Sequence, residues 1–236
     1  MITMNTKPML IQPRVIILIV ALLTIIVAIE SLYLVPWAPY FLIYAFLAIF
    51  IPLYTKSYKF GSIKLLAKKR VLMFFIIFLV LTIVVLNAMD YVYLLILSQL
   101  NLISNSMYNL NLALEDLASL AAKKFGITVD AAILIYAIYV LIWAPIGEEL
   151  LYRGYMYGHL REKYGVITAN LISSFFFGIR HATHFLSLLP NYPFIAAMYW
   201  VIHAFVFGVL IAYAYEKSET LYVPMIIHFL FNIASI

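Results

Sequence analysis

The stretch Val71-Leu72-Met73-Phe74-Phe75-Ile76-Ile77-Phe78-Leu79-Val80-Leu81-Thr82-Ile83-Val84-Val85-Leu86-Asn87-Ala88-Met89 carries no charge, and its only polar side chains are Thr82 and Asn87. A hydrocarbon layer of about 30 Å is crossed by about 20 apolar residues rising about 1.5 Å each, so this stretch reads as a transmembrane helix. Lys68, Lys69 and Arg70 stand at its front. Beyond it, the apolar run 91–100 extends the span or re-enters the membrane. Similar runs lie near 15–34, 38–54, 130–150, 168–189, 194–215 and 221–236. The expected fold class is all-α, a polytopic transmembrane helix bundle of about seven or eight spans.

Composition agrees. Of 236 residues, 67% are hydrophobic and 11% charged, with a mean hydropathy of +1.06. A soluble domain is about half apolar and a quarter charged. The spans use up the residues, so no separate soluble domain is expected. Cysteine is absent, which excludes disulfides, thiolate nucleophiles and zinc–thiolate or iron–sulfur centres in this sequence. The net charge of +5 is read as basic loops that set topology rather than as a nucleic-acid surface.

The first apolar run, Val15 to Ile29, follows Lys7 and Arg14 and is followed by Glu30-Ser31-Leu32-Tyr33-Leu34, without a small-x-small cleavage site. It is read as a retained anchor. With the N-terminus in the cytoplasm, cytoplasmic segments hold 12 of the 15 basic residues: Lys7, Arg14, Lys56, Lys59, Lys64, Lys68, Lys69, Arg70, Arg153, Arg161, Lys163 and Lys217. The far side holds Lys123 and Lys124, and Arg180 lies inside a span. This bias predicts an integral membrane protein with a cytoplasmic N-terminus. Leu110, Leu114, Leu117, Ala121 and Phe125 recur at helical spacing against Glu115, Asp116, Lys123 and Lys124. That pattern predicts an amphipathic helix, interfacial or simply connecting. It separates an N-terminal transmembrane region, 1–129, from a C-terminal core, 130–236, that holds nearly all the intramembrane polar groups.

Three segments of that core carry the chemistry. The first is Pro145-Ile146-Gly147-Glu148-Glu149-Leu150-Leu151-Tyr152-Arg153. An acid within a membrane costs roughly 2.5–3.5 kcal/mol on insertion scales, so a retained pair suggests use. On a helix Glu149 and Arg153 are four apart and can pair, whereas Glu148 points about 100° away and is expected to face a cavity. The plainer reading is that both acids mark the cytoplasmic end of a span. The second segment holds Phe177, Arg180, His181 and His184, with the two histidines on one face. The third holds His228 and Asn232, four apart and therefore also on one face. Hydrogen-bonded helix contacts are the plainer reading of both. His203 is read as a packing histidine, His159 as a surface residue, and Gly208 with Ala212 as a small-x-x-x-small packing pair.

Glu-Glu-x-x-x-Arg, Phe-x-x-x-His and His-x-x-x-Asn, in this order on successive membrane helices, resemble the pattern of the CAAX protease and bacteriocin-processing enzymes. This Abi family includes the Ras-converting endopeptidases. Glu148, Glu149 and Arg153 fill the first element, Phe177 and His181 the second, His228 and Asn232 the third. The resemblance covers roughly 130–236 and implies a metal-independent, glutamate-type membrane endopeptidase. Its substrate would be a prenylated C-terminal Cys-a-a-X tail or a short membrane-borne peptide.

The residue types allow the same chemistry. Glu148 and His181 together polarise a water as general base. His228 and Asn232 donate to the oxyanion, and Glu149 with Arg153 holds the acid helix. No cofactor is expected on this reading. Glu148, His181 and His228 could instead hold a catalytic zinc, although no His-Glu-x-x-His motif is present. A non-enzymatic scaffold or immunity protein, or a proton-coupled carrier, are the remaining classes. No repeat between the halves favours the carrier. For the polar groups to meet at one depth, the acid helix has to continue past Arg153, to about Lys163, with the site opening toward the cytoplasm.

Overall fold

The structure, a computed structural model, describes residues 11–33, 41–55, 61–102, 118–119, 121–186 and 194–234. Those residues form a helical bundle with no β-strand among them. The elements are α1 (Pro13–Tyr33), α2 (Phe41–Thr55), a 3-10 turn (Ile63–Ala67), α3 (Lys69–Gln99), α4 (Val129–Ile138), a π-helical turn (Tyr139–Trp143), α5 (Ala144–Glu148), a π-helical stretch (Glu149–Tyr157), α6 (Gly158–Leu186), α7 (Phe194–Ser218) and α8 (Tyr222–Ala234). By length and composition three helical runs can cross a membrane: Lys69–Gln99, Val129–Thr183 and Phe194–Ser218. Shorter apolar helices accompany them at Pro13–Ile29, Tyr44–Thr55 and Tyr222–Ala234. The run 91–100 is resolved as an extension of the third span, because α3 continues unbroken to Gln99. The amphipathic pattern at 109–125 lies largely outside the described residues.

In α1 the buried residues are Ile16, Val20, Thr24, Leu23 and Val27, one face at three- and four-residue spacing. Leu18, Leu22, Ile25 and Ile29 on the other face are equally apolar but exposed. Lipid solvates such a face, so burial rather than polarity distinguishes the two sides. This stripe packs along α6, and α3 packs along α7. The N-terminal helices therefore flank the C-terminal core directly. Thr24 satisfies its hydroxyl within its own helix, donating to the Val20 carbonyl at 2.9 Å. Thr128 caps α4, its hydroxyl accepting from the Ala131 N–H at 3.1 Å, with Asp130 in the positive first turn.

From Val129 the chain stays helical through both π segments and into α6, as the depth argument required for the acid helix. The break comes at Gly165, with φ 78° and ψ 172°, a backbone that a side chain would strain. The chain turns there, and the second part of α6 carries Phe177, Arg180 and His181 back alongside the acid segment.

Pro145 accounts for the first π turn. It offers no N–H, and in an α-helix its ring would crowd the carbonyl of residue 141. The turn widens before it, and the Ala144 N–H bonds the Tyr139 carbonyl instead of that of Val140. The Val140 carbonyl thereby loses its α-helical donor, and its five-residue donor would be Pro145. It takes its hydrogen bond from outside the helix, from Asn232 of α8 at 2.8 Å.

Candidate functional site

Four ionisable groups are enclosed together. Glu148 is 1% exposed, Glu149 and Arg153 0%, and Arg180 2%. Such charges persist in an apolar interior only as pairs with further hydrogen bonds. Arg153 Nη1 donates to Glu149 Oε1 at 3.0 Å, the i,i+4 pair expected from spacing. Its Nη2 donates to the Gly208 carbonyl of α7 at 3.1 Å, and its guanidinium lies 4.4 Å over the Phe177 ring. His228 Nδ1 lies 2.8 Å from the same Glu149 Oε1. A carboxylate offers no proton, so Nδ1–H donates and Nε2 is the ring nitrogen left for other work. Glu149 thus joins α8 to the acid segment as well as pairing with Arg153. Its Oε2 is buried and takes no hydrogen bond from the described residues.

Glu148 corrects the sequence reading. It does not face a cavity as an unpaired acid: its Oε1 lies 2.9 Å from Arg180 Nη2, with both side chains 2% exposed. The contact is an ion pair rather than a well-aligned hydrogen bond. Arg180 Nη2 also donates to the Tyr139 hydroxyl at 2.9 Å, and its guanidinium lies 5.1 Å over the Tyr44 ring. Tyr44 in turn donates to the Tyr152 hydroxyl at 3.3 Å. Sequence reasoning placed Arg180 beside the histidines without assigning it a partner, and it missed Tyr44, Tyr139 and Tyr152 as members of the site. The signal available for Arg180 was its position inside a span, where an unpaired guanidinium is costly and a buried acid is its natural partner.

Phe177 is the centre of the cluster. Its ring lies 4.6 Å from His181, 5.2 Å from Tyr152, 6.1 Å from His228 and 6.1 Å from Phe207. His181 Nδ1 is 2.8 Å from the Phe177 carbonyl, which can only accept, so the neutral ring carries its proton on Nδ1 and its lone pair on Nε2. Asn232 is brought to the acid helix but spends an amide N–H on Val140, a contact that holds α8 against the π turn. The described residues thus draw Glu148, Glu149, Arg153, Phe177 and His228 into one contact network, with His181 joined through Phe177, while Asn232 bonds the backbone of the acid helix at Val140. The side chain of His184 lies outside the described residues. Among the described residues no group of three or more His, Asp or Glu side chains converges as a metal-binding set.

Two neighbouring features frame this network. Gly208 permits close approach of α6 and α7: a Cβ there would meet Ser174 Cβ at 3.1 Å and Arg153 Nη2 at 3.2 Å. Gly208→Ala is therefore expected to destabilise by about 1–3 kcal/mol through overpacking, read as a lowered thermal midpoint in detergent. An unchanged midpoint would mean the helices separate without cost. Earlier on α7, His203 packs against Trp200, Tyr199 and Phe231. It also faces Asp90 of α3 at 3.7 Å, an acid that the Tyr199 hydroxyl bonds as well. The packing role expected for His203 thus includes a polar link to the N-terminal half. His159, expected at the surface, is half-buried, with Nδ1 2.7 Å from the Tyr155 carbonyl.

Comparison with known proteins points the same way. Residues 130–234 match the family described as type II CAAX prenyl endopeptidase Rce1-like. The chain is 33% identical over 91 residues to a protein of Bacillus subtilis (strain 168) named "Putative membrane peptidase YdiL". That match covers 39% of this chain and 32% of the relative, so the chain spans only about a third of that protein. No solved structure matches. The family resemblance drawn from Glu148 to Asn232 is therefore met by a match over the segment that contains those residues.

Proposed function

From a C-terminal segment similar to the Rce1-like CAAX prenyl endopeptidases, we propose that this chain is a membrane-embedded endopeptidase. It hydrolyses a peptide bond near the C-terminus of prenylated Cys-a-a-X proteins or of short membrane-borne peptides. The observation that carries this reading is the buried pair of carboxylates, each held by its own arginine, beside two histidines from neighbouring helices.

The division of labour follows from the contacts. Both acids pair with a guanidinium, as the carboxylate form that a general base requires does; Glu149 Oε1 is shared between Arg153 and His228, so Glu148 is assigned as the base. His181, with its lone pair on Nε2, shares the proton taken from water. The water oxygen attacks the scissile carbonyl, and the resulting oxyanion takes hydrogen bonds from His228 and Asn232. With Nδ1 of His228 committed to Glu149, the donated N–H comes from Nε2, so the donating form of that ring is the imidazolium. Asn232 has a second amide N–H beyond the one on Val140. Each such donor is worth roughly 2.7–4 kcal/mol in other enzymes. Glu149, Arg153 and Phe177 hold the parts in register. The proton on the base then passes to the leaving amine.

The site opens toward the cytoplasm in this reading, with the N-terminus on the same side. The Arg153 contact at Gly208 lies about 14 Å along α7 from Lys217, at about 1.5 Å per residue. Basic residues concentrated at that end support the orientation.

The test is cleavage of a farnesylated Cys-a-a-X peptide by purified protein in detergent, with and without a chelator, beside His181→Ala. Cleavage that survives the chelator and falls at least about a hundredfold in the variant is the expected result. Loss with the chelator, restored by zinc, would replace the base mechanism with a metal one. Absence of cleavage of both this peptide and a bacteriocin-leader peptide would remove the endopeptidase reading.

A further inference from the structure

The residues that hold Glu148 reach outside the matched segment. Tyr44 belongs to α2, far from 130–234 in sequence, yet it is 1% exposed and faces the interior of the site. Its ring is 5.1 Å from the Arg180 guanidinium, its hydroxyl bonds that of Tyr152, and its edge meets Trp143 at 5.8 Å. Tyr139 supplies an acceptor for Arg180 Nη2 and stacks on Trp143 at 4.8 Å. Arg180 is therefore held by Glu148 and Tyr139 at Nη2, with its guanidinium carbon 5.1 Å over the Tyr44 ring.

We propose that Arg180 and Tyr44 are positioning residues for Glu148, so that helix α2 of the N-terminal half is part of the reaction machinery. The physical reason lies in the shape of a guanidinium. It is a flat fork whose donors lie at the edge and whose faces donate nothing. A ring over which the cation sits holds the guanidinium by its quadrupole and its bulk, and so resists displacement of the fork. Displacement would carry Nη2 away from Glu148 Oε1, 2.9 Å off, and let the carboxylate swing from the place where it meets water. Tyr44 is itself enclosed by Arg180, Tyr152 and Trp143, so it acts on the reaction through Arg180 rather than by touching substrate. The inference rests on the proposed role of Glu148 as base.

Such an arrangement predicts a split in kinetics. Tyr44→Leu removes the ring face and is expected to lower kcat about 10- to 100-fold on the farnesylated peptide while KM stays the same, since small misplacements of a reacting group cost this much. Tyr44→Phe keeps the ring and recovers most of the lost kcat. Arg180→Lys replaces the fork by a point charge and loses kcat as Tyr44→Leu does. A readout independent of turnover accompanies these variants: labelling of Glu148 by dicyclohexylcarbodiimide, followed by peptide mass spectrometry. Carbodiimides attack intramembrane carboxyl groups slowly when they are ion-paired, so Tyr44→Leu and Arg180→Lys should label several-fold faster than the parent protein. Should Tyr44→Leu fail to fold, Arg180→Lys and Tyr44→Phe carry the same comparison.

Wild-type kcat and wild-type labelling in folded Tyr44→Leu would overturn the inference and leave Tyr44 as packing. A lowered melting point alone would do the same. Equal cleavage by wild type and Glu148→Gln would instead remove Glu148 as base. The labelling rates would still decide whether Tyr44 and Arg180 hold that carboxylate.

Discussion

Glu148→Gln is expected to lower kcat/KM on a farnesylated Cys-a-a-X peptide by about a thousandfold, within the roughly 10²–10⁴ range that a positioned base contributes. The amide keeps the size of the side chain and an oxygen for Arg180, but it cannot take a proton from water. Some destabilisation accompanies the loss, because Arg180 remains buried with its countercharge removed. The two effects separate by experiment. Assayed well below its melting midpoint and judged monodisperse by size exclusion, the variant should remain folded and inactive. Retention of even a tenth of wild-type turnover would exclude Glu148 as the base and shift the search to His181.

Arg153→Ala should give the largest loss of stability. It removes the partner of a fully buried Glu149, the donor to the Gly208 carbonyl and the cation over Phe177 in one step. Breaking a buried pair by deleting one member costs about 3–5 kcal/mol, most of it the charge left behind. The cut-away side chain leaves a void in addition. The thermal midpoint in detergent should fall by about 10 °C or more. Arg161→Ala is the matched control. Arg161 Nη1 lies 2.7 Å from Glu216 Oε2, a shorter contact than that of Arg153, but its side chain is 42% exposed. Pairs in such surroundings are worth about 0–1 kcal/mol. Similar falls for both variants would show that burial does not set the cost here. Glu149→Gln combined with Arg153→Met, which removes both charges, should recover part of the stability without recovering activity, since the amide oxygen left to His228 no longer carries the charge that favours its imidazolium.

Much of this was legible in the chain itself. Uncharged runs such as 71–89 dictate membrane helices because lipid offers no partner to an open backbone. The Glu149–Arg153 pair followed from four-residue spacing, since both partners belong to one helix and the helix sets their distance. The family resemblance followed from local patterns whose residues stay in fixed order. Tertiary structure alone decided what crossed between helices. That Glu148 is held by Arg180, that Asn232 caps the carbonyl left open before Pro145, and that Tyr44 closes the site from the N-terminal half all depend on how separate helices are packed. Periodicity reports which face of a helix is apolar, and in a membrane nearly every face is. The choice of neighbours was therefore left to close packing and to the few buried charges that had to find one another.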